Sequence, residues 1–215
     1  MSPHKSGPRV AIIQNFKPTN PAFATDMMAS FTDLIHKSAP DAIVDVINGV
    51  ESAQLPNPSE YNTIILTGGM FNLALPEVEP WVERELDLIR TSAEKAPNSK
   101  LVGLCWGNQA VARALGGAVE FIPTGHVVGR NPDKLTGVGR DFFDAEELGH
   151  PEFTSLVSHR VLDADGGTFS SNMDEEEEKK TRDSFDVAND GEKTFATIMD
   201  WVLDRRQIVV SREIA

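Results

Sequence analysis

Lys100-Leu-Val-Gly-Leu-Cys-Trp-Gly-Asn-Gln109 is the stretch from which the fold can be read outward. Leu101 and Val102 read as the end of a buried strand. Ala110, Val111, Ala114 and Leu115 read as the inner face of a helix that Gly116-Gly117 stops. Cys105 then falls on a sharp strand-to-helix turn, with Gly103 two residues before it and Gly107 two after. This is the layout of a nucleophile elbow: small neighbours let the backbone fold tightly and leave the side chain exposed above the sheet. The helix N-terminus that follows favours a thiolate over a thiol. A lone cysteine is more often a small buried hydrophobe, but the two glycines weigh toward an exposed nucleophile.

The chain has 215 residues, 40% hydrophobic and 25% charged, which suits one globular domain over 1–215 with residues 1–8 as a disordered N-terminal tail. A single cysteine excludes an internal disulfide and fits a reducing compartment. The first hydrophobic run is too brief for a signal or membrane segment, so a soluble, cytoplasmic protein is expected. A net charge of −13 argues against nucleic acid or an anionic membrane surface as partner. Part of that charge is the run Asp174-Glu-Glu-Glu-Glu178, read as a solvated helix face or loop.

Around the central stretch, apolar strands are expected at 9–16, 42–47 and 62–67. A helix after Pro21 carries Phe23, Met27, Phe31, Leu34 and Ile35 on one face, and another carries Val78, Trp81, Val82, Leu86 and Ile89. Strands and helices alternate and the strands are continuously apolar, so a mostly parallel α/β sheet with helices on both faces is the natural reading. In such sheets the site lies beyond the carboxyl ends of the strands. Two strands end there in unusual residues: Thr67-Gly68-Gly69 and Leu104-Cys105. Paired glycines let backbone N–H groups turn inward, and the Gly69 region with the Trp106 amide are the candidate oxyanion donors. A plain turn at Gly68-Gly69 is the alternative.

Several pieces together resemble the class I, or triad, glutamine amidotransferases of the stand-alone type. They are Ile64-Ile-Leu-Thr-Gly-Gly69 with Pro80-Trp81, then Gly103-Leu-Cys-Trp-Gly-Asn-Gln109 with Ala112-Arg-Ala-Leu-Gly-Gly117, then Gly125, Gly129 and Gly149-His-Pro-Glu-Phe-Thr154. The resemblance implies a flavodoxin-like fold and a Cys105–His150–Glu152 triad acting on the side-chain amide of glutamine or a related γ-glutamyl compound. Cys105 would attack the amide carbonyl, His150 would move the proton, and Glu152 would hold the imidazole. Gln109 would help shape the substrate pocket. The chemistry agrees, because an amide nitrogen leaves poorly unless it is protonated and the oxyanion is stabilised. No cofactor is implied. A separate ammonia-accepting enzyme is the implied partner if the ammonia is passed on, since no synthetase segment is attached.

The chain departs from the family pattern in two places. Asn108 stands where members often have histidine. Only 45 residues separate Cys105 from His150, an interval that members fill with further strands, whereas Arg140–Gly149 here is acidic and lacks alternation. A helix is expected over Glu152–Ala164, closed by Gly166-Gly167. A final one, capped by Asn189-Asp190-Gly191, carries Phe195, Ile198, Met199, Val202 and Leu203 inward. His159 reads as a surface residue and the fallback base, His126 as structural or pocket-lining, and His4 and His36 as terminal and helix-end residues. No spacing suggests a metal site or a phosphate loop. Strand edges left open by the short interval make a homodimer an expectation. Besides a cysteine hydrolase, two readings stay open: a non-catalytic binding or regulatory protein, and a biosynthetic enzyme using the cysteine on another acyl substrate.

Overall fold

Uninterrupted apolar residues make the two inner strands of a parallel sheet, β1 (Arg9–Gln14) and β3 (Thr63–Leu66). Val10 to Ile13 and Ile64 to Leu66 are completely buried, as expected of strands hydrogen-bonded on both sides and covered on both faces. β2 (Ile43–Asn48) and β4 (Lys100–Gly103) flank them, giving the order β2-β1-β3-β4 with every pairing parallel. This is the order in which flavodoxin-like sheets begin.

The computed structural model describes residues 7–17, 20–121, 133–152, 157, 173–185 and 190–205. The chain divides into two compact units, Met1–Lys17 with Asp41–Val127, and Pro18–Pro40 with Val128–Ala215. Residues 1–6 of the tail expected over 1–8, Gly125, His126, Gly129, most of the expected helix over 152–164 with His159, Gly166-Gly167 and Asn189 lie outside the described residues.

In the first unit, helices α2 (Pro80–Lys95) and α3 (Trp106–Ala114) pack on the sheet. Trp81, Val82, Leu86 and Ile89 of α2 and Trp106 and Ala110 of α3 join Ala11, Ile13, Ile64 and Leu66 in one core. α2 starts on Pro80, whose missing N–H costs nothing at a first helical position. The edges are more open than the sequence suggests. Ile43 and Val46 are 45% and 46% exposed, and β4 is half-buried throughout, so Leu101 and Val102 do not end a fully buried strand. Leu115 is 55% exposed and lies past the end of α3, because the helix stops at Ala114. On β2, Asp45 accepts hydrogen bonds from the Arg9 guanidinium (2.8 Å) and the Tyr61 hydroxyl (3.0 Å), which hold its carboxyl below the usual range.

In the second unit, α1 (Pro21–Ser38) is capped by Asn20, whose side chain accepts the Ala22 N–H at 3.0 Å. It buries Phe23, Met27, Phe31, Leu34 and Ile35, the five expected positions, and Phe31 meets Phe195 of α6 (Gly191–Val202) edge to face at 5.9 Å. Asp190 begins α6 without a side-chain cap bond, so its expected capping role is not observed. The acidic interval is not bare loop. Short strands β5 (Asp133–Lys134) and β6 (Glu147–Leu148) pair antiparallel around α4 (Gly137–Phe143). The acidic run is α5 (Glu175–Ser184), closed at its start by a capping box between Asp174 and Glu177.

One buried residue breaks the apolar stripe of α2. Glu85 has no exposed surface, and neither carboxylate oxygen has a hydrogen-bond partner among the described residues. Burial pushes its carboxyl up to about 8, against a smaller opposing pull from Arg84. A carboxyl whose pKa is higher folded than unfolded gives stability that is whole below its unfolded pKa and is lost as pH rises. Relative to Glu85→Gln, the wild-type folding free energy should therefore fall by at most about 1.4 kcal/mol per pH unit between roughly pH 4.5 and 8, then level off. Urea titrations of both proteins across that range check it, and parallel curves would refute it.

Candidate active site

Cys105 joins β4 to α3 with φ 51° and ψ −111°, a conformation that a residue with a Cβ adopts only under strain. The turn is held by a dense set of backbone bonds. Leu104 N–H donates to Leu66 O (3.0 Å), Gly107 N–H to Leu104 O (2.9 Å) and Thr67 O (3.2 Å), and the Asn108 and Gln109 amides to Cys105 O (3.1 and 3.3 Å). These bonds require close approach. A Cβ on Gly107 would stand 2.2 Å from Leu66 O, and one on Gly103 would stand 2.5 Å from Gly107 O. The glycines two residues either side of Cys105 are thus needed for space, and the cysteine itself is left exposed.

The end of β3 lies against this turn. The Cβ position of Gly68 is 3.6 Å from Cys105 Cβ and 3.9 Å from Sγ. Asn15, the residue after β1, braces the segment: its N–H donates to Thr67 Oγ1 (3.0 Å) and its Nδ2 to Thr67 O (3.4 Å), while Thr67 Oγ1 donates to Gly68 O (3.1 Å). Asn15 O also comes within 2.3 Å of where a Cβ on Gly69 would sit. Below the turn the Trp106 ring is buried and stacks on Trp81 at 5.5 Å. Farther along, Arg113 of α3 donates to the carbonyls of Leu73 and Leu75 (both 2.5 Å) and Pro76 (2.9 Å), tying down the chain that follows Gly69. Gln109 is on the exposed face of the first turn of α3.

His150 and Glu152 belong to the second unit, where the structure brings them together. Glu152 Oε1 is 2.8 Å from His150 Nδ1. The carboxylate side chain is 4% exposed and the imidazole 30%, so a buried acid faces one ring nitrogen of a partly open base. Contact with the carboxylate favours the tautomer bearing its proton on Nδ1 and leaves Nε2 as the basic nitrogen. Ser30 of α1 donates to Glu152 O at 2.9 Å and anchors that backbone. Asn15, Ser30 and Arg113 were not foreseen as parts of either half. Only Asn15 carried a signal, being a polar residue at the carboxyl end of a buried strand. Among the described residues no cluster of His, Cys, Asp and Glu is arranged to hold a metal ion, and no helix is long and apolar enough to cross a membrane.

Together these features define a parallel α/β sheet of flavodoxin-like order with a cysteine on a strained turn at its carboxyl edge. The chain is 38% identical over 159 residues to the glutamine amidotransferase-like protein chry6 of Gibberella zeae, covering 74% of this chain and 64% of that one. It is 33% identical over 159 residues to the glutamine amidotransferase-like protein chyE of Penicillium rubens, covering 74% and 63%. The chain thus spans somewhat under two thirds of the length of these relatives. A crystal structure of a glutamine amidotransferase from Thermotoga maritima superposes with a TM-score of 0.59 at 20% identity, over 92% of this chain and 96% of that chain, and shows the α/β fold. No protein-family model matches the chain. In sequence the chain is thus similar to proteins named glutamine amidotransferase-like.

Two glycine substitutions separate the roles of space at the turn. Gly107→Ala should destabilise the fold by at least about 2 kcal/mol, because its Cβ meets backbone that cannot yield. Gly68→Ala makes only ordinary contact with Cys105, so it should cost under about 0.5 kcal/mol while slowing alkylation of the thiol. Chemical denaturation and iodoacetamide kinetics read the two effects. Equal stability losses would contradict this assignment.

Proposed function

We propose that the chain is a cysteine-dependent hydrolase of the glutamine side-chain amide or a related γ-glutamyl amide. The observation that carries this reading is the strained, exposed Cys105 turn with Gly68 against it. A second support is the His150–Glu152 pair, which has the orientation expected of a base and its holder.

In this reading His150 takes the thiol proton and Cys105 Sγ attacks the amide carbon. The carbonyl electrons move onto oxygen, where the Gly69 and Trp106 backbone amides stabilise the charge. His150 returns the proton to nitrogen, ammonia or an amine leaves, and a γ-glutamyl thioester remains on Cys105. Water, deprotonated by His150, then attacks the thioester, releasing glutamate and restoring the thiol. Glu152 holds the imidazole in place and stabilises the imidazolium. Gln109 lines the pocket, no cofactor takes part, and a partner enzyme would receive the ammonia if it is used in synthesis. The setting is the cytoplasm.

The short Cys105–His150 interval favours a second reading, in which the scaffold binds a ligand or handles a different acyl group. Glutamate release from L-glutamine and from a γ-glutamyl dipeptide discriminates the two. The expected result is release that Cys105→Ala abolishes, that His150→Ala lowers at least about 10³-fold, and that Glu152→Gln lowers less severely. No release from either substrate, or release unaffected by Cys105→Ala, would overturn the hydrolase reading.

A further inference from the structure

The buried end of β1 holds two polar groups whose needs are complementary. Asn15 is completely buried. Its Nδ2 is committed to Thr67 O, and its Oδ1 has no hydrogen-bond partner among the described residues. Glu85 of α2 is also completely buried, with both oxygens unpartnered. The two groups crowd the same space beside Gly49: a Cβ added there would stand 2.0 Å from Glu85 Oε1 and 3.0 Å from Asn15 Oδ1. Asn15 Oδ1 is an acceptor lacking a donor, and a protonated carboxylic acid is a donor. A buried carboxylate facing an amide oxygen would instead set two acceptors against each other in a dry site, at high cost.

We propose that Glu85 is a positioning residue: as a neutral acid it supplies the hydrogen bond that Asn15 Oδ1 lacks, and through Asn15 it fixes the Thr67–Gly69 segment beside Cys105. This rests on the proposed function for its catalytic meaning, since that segment is the one assigned to stabilise the oxyanion. The coupling is short. Asn15 holds Thr67 by two hydrogen bonds, Thr67 holds Gly68 O, and Thr67 O in turn takes the Gly107 amide of the cysteine turn. The surroundings favour the neutral form. Ile13, Asn15 and Gly49 carry no charge, and among the described residues the opposing pull on the carboxyl comes from Arg84, its neighbour on α2. Ionisation above about pH 8 would remove the donor and loosen the segment.

Amide hydrogen exchange at Asn15 and Thr67 tests this without reference to activity, because both amides are hydrogen-bonded within the braced segment. Glu85→Ala should speed their exchange at least tenfold at pH 7, whereas Glu85→Gln, which keeps the shape and a donor, should stay within about twofold of wild type. In the wild type, protection of these two amides, corrected for intrinsic exchange, should fall between pH 7 and 9, and in Glu85→Gln it should not. This last comparison needs no alanine variant, so it decides the matter even where Glu85→Ala does not fold. Wild-type protection that is flat with pH, or a Glu85→Gln protein as open as Glu85→Ala, would overturn the proposal. A protein that releases no glutamate but shows the expected exchange would contradict the proposed reaction and support the Glu85–Asn15 link.

Discussion

The backbone of Cys105, held at φ 51°, sets the terms for everything around it. Such a torsion costs about 1–3 kcal/mol and persists only where neighbours over-determine it. Here the carbonyls of Leu66 and Thr67 at the end of β3 each take an amide from the turn, and the chain passes so close that Gly103 and Gly107 admit no side chain. The parallel pairing of β3 with β4, which brings Leu66 opposite Gly103, is what makes those carbonyls available. Sheet register, glycine spacing and cysteine exposure are therefore one constraint seen at three scales.

The sequence made this part of the molecule legible because steric requirements write themselves as residue types. Glycine at two fixed offsets from Cys105 meets carbonyl oxygens at distances no Cβ tolerates. The central strands were legible for a similar reason, since burial on both faces demands the unbroken apolar runs of β1 and β3. The five inward residues of α1 followed from helical periodicity, as did Trp81, Val82, Leu86 and Ile89 of α2, but Val78, expected on the same stripe, lies before the helix because it starts at Pro80. His150 and Glu152 were singled out through the resemblance of Gly149-His-Pro-Glu-Phe-Thr154 to a family motif, and the structure puts their side chains 2.8 Å apart.

What escaped the sequence was decided by partners far away in it. Glu85 occupies a position on α2 where periodicity calls for an apolar residue, and its acceptance there depends on Asn15 and Gly49, brought close only by folding. Ser30 sits within the buried face of α1 and finds its acceptor at Glu152 O, 122 positions on. Arg113 looks like an ordinary helix-end cation until three carbonyls between Leu73 and Pro76 surround it. The exposure of Leu115 and the half-buried state of β4 depend on what covers the sheet edge, which no local pattern encodes. Polar residues inside an apolar pattern were thus the least readable in isolation and are the most informative once placed.

The central claim is that Cys105 is a nucleophile which recognises a γ-glutamyl carbonyl. Intact-protein mass spectrometry with a diazoketone analogue of L-glutamine tests it most directly, since such a reagent alkylates a thiol only where the amino-acid end is bound and the thiol faces the carbonyl. The account predicts a single adduct, mapped to Cys105, whose formation excess L-glutamine suppresses. No adduct, or one that forms equally fast with glutamine present, would contradict it.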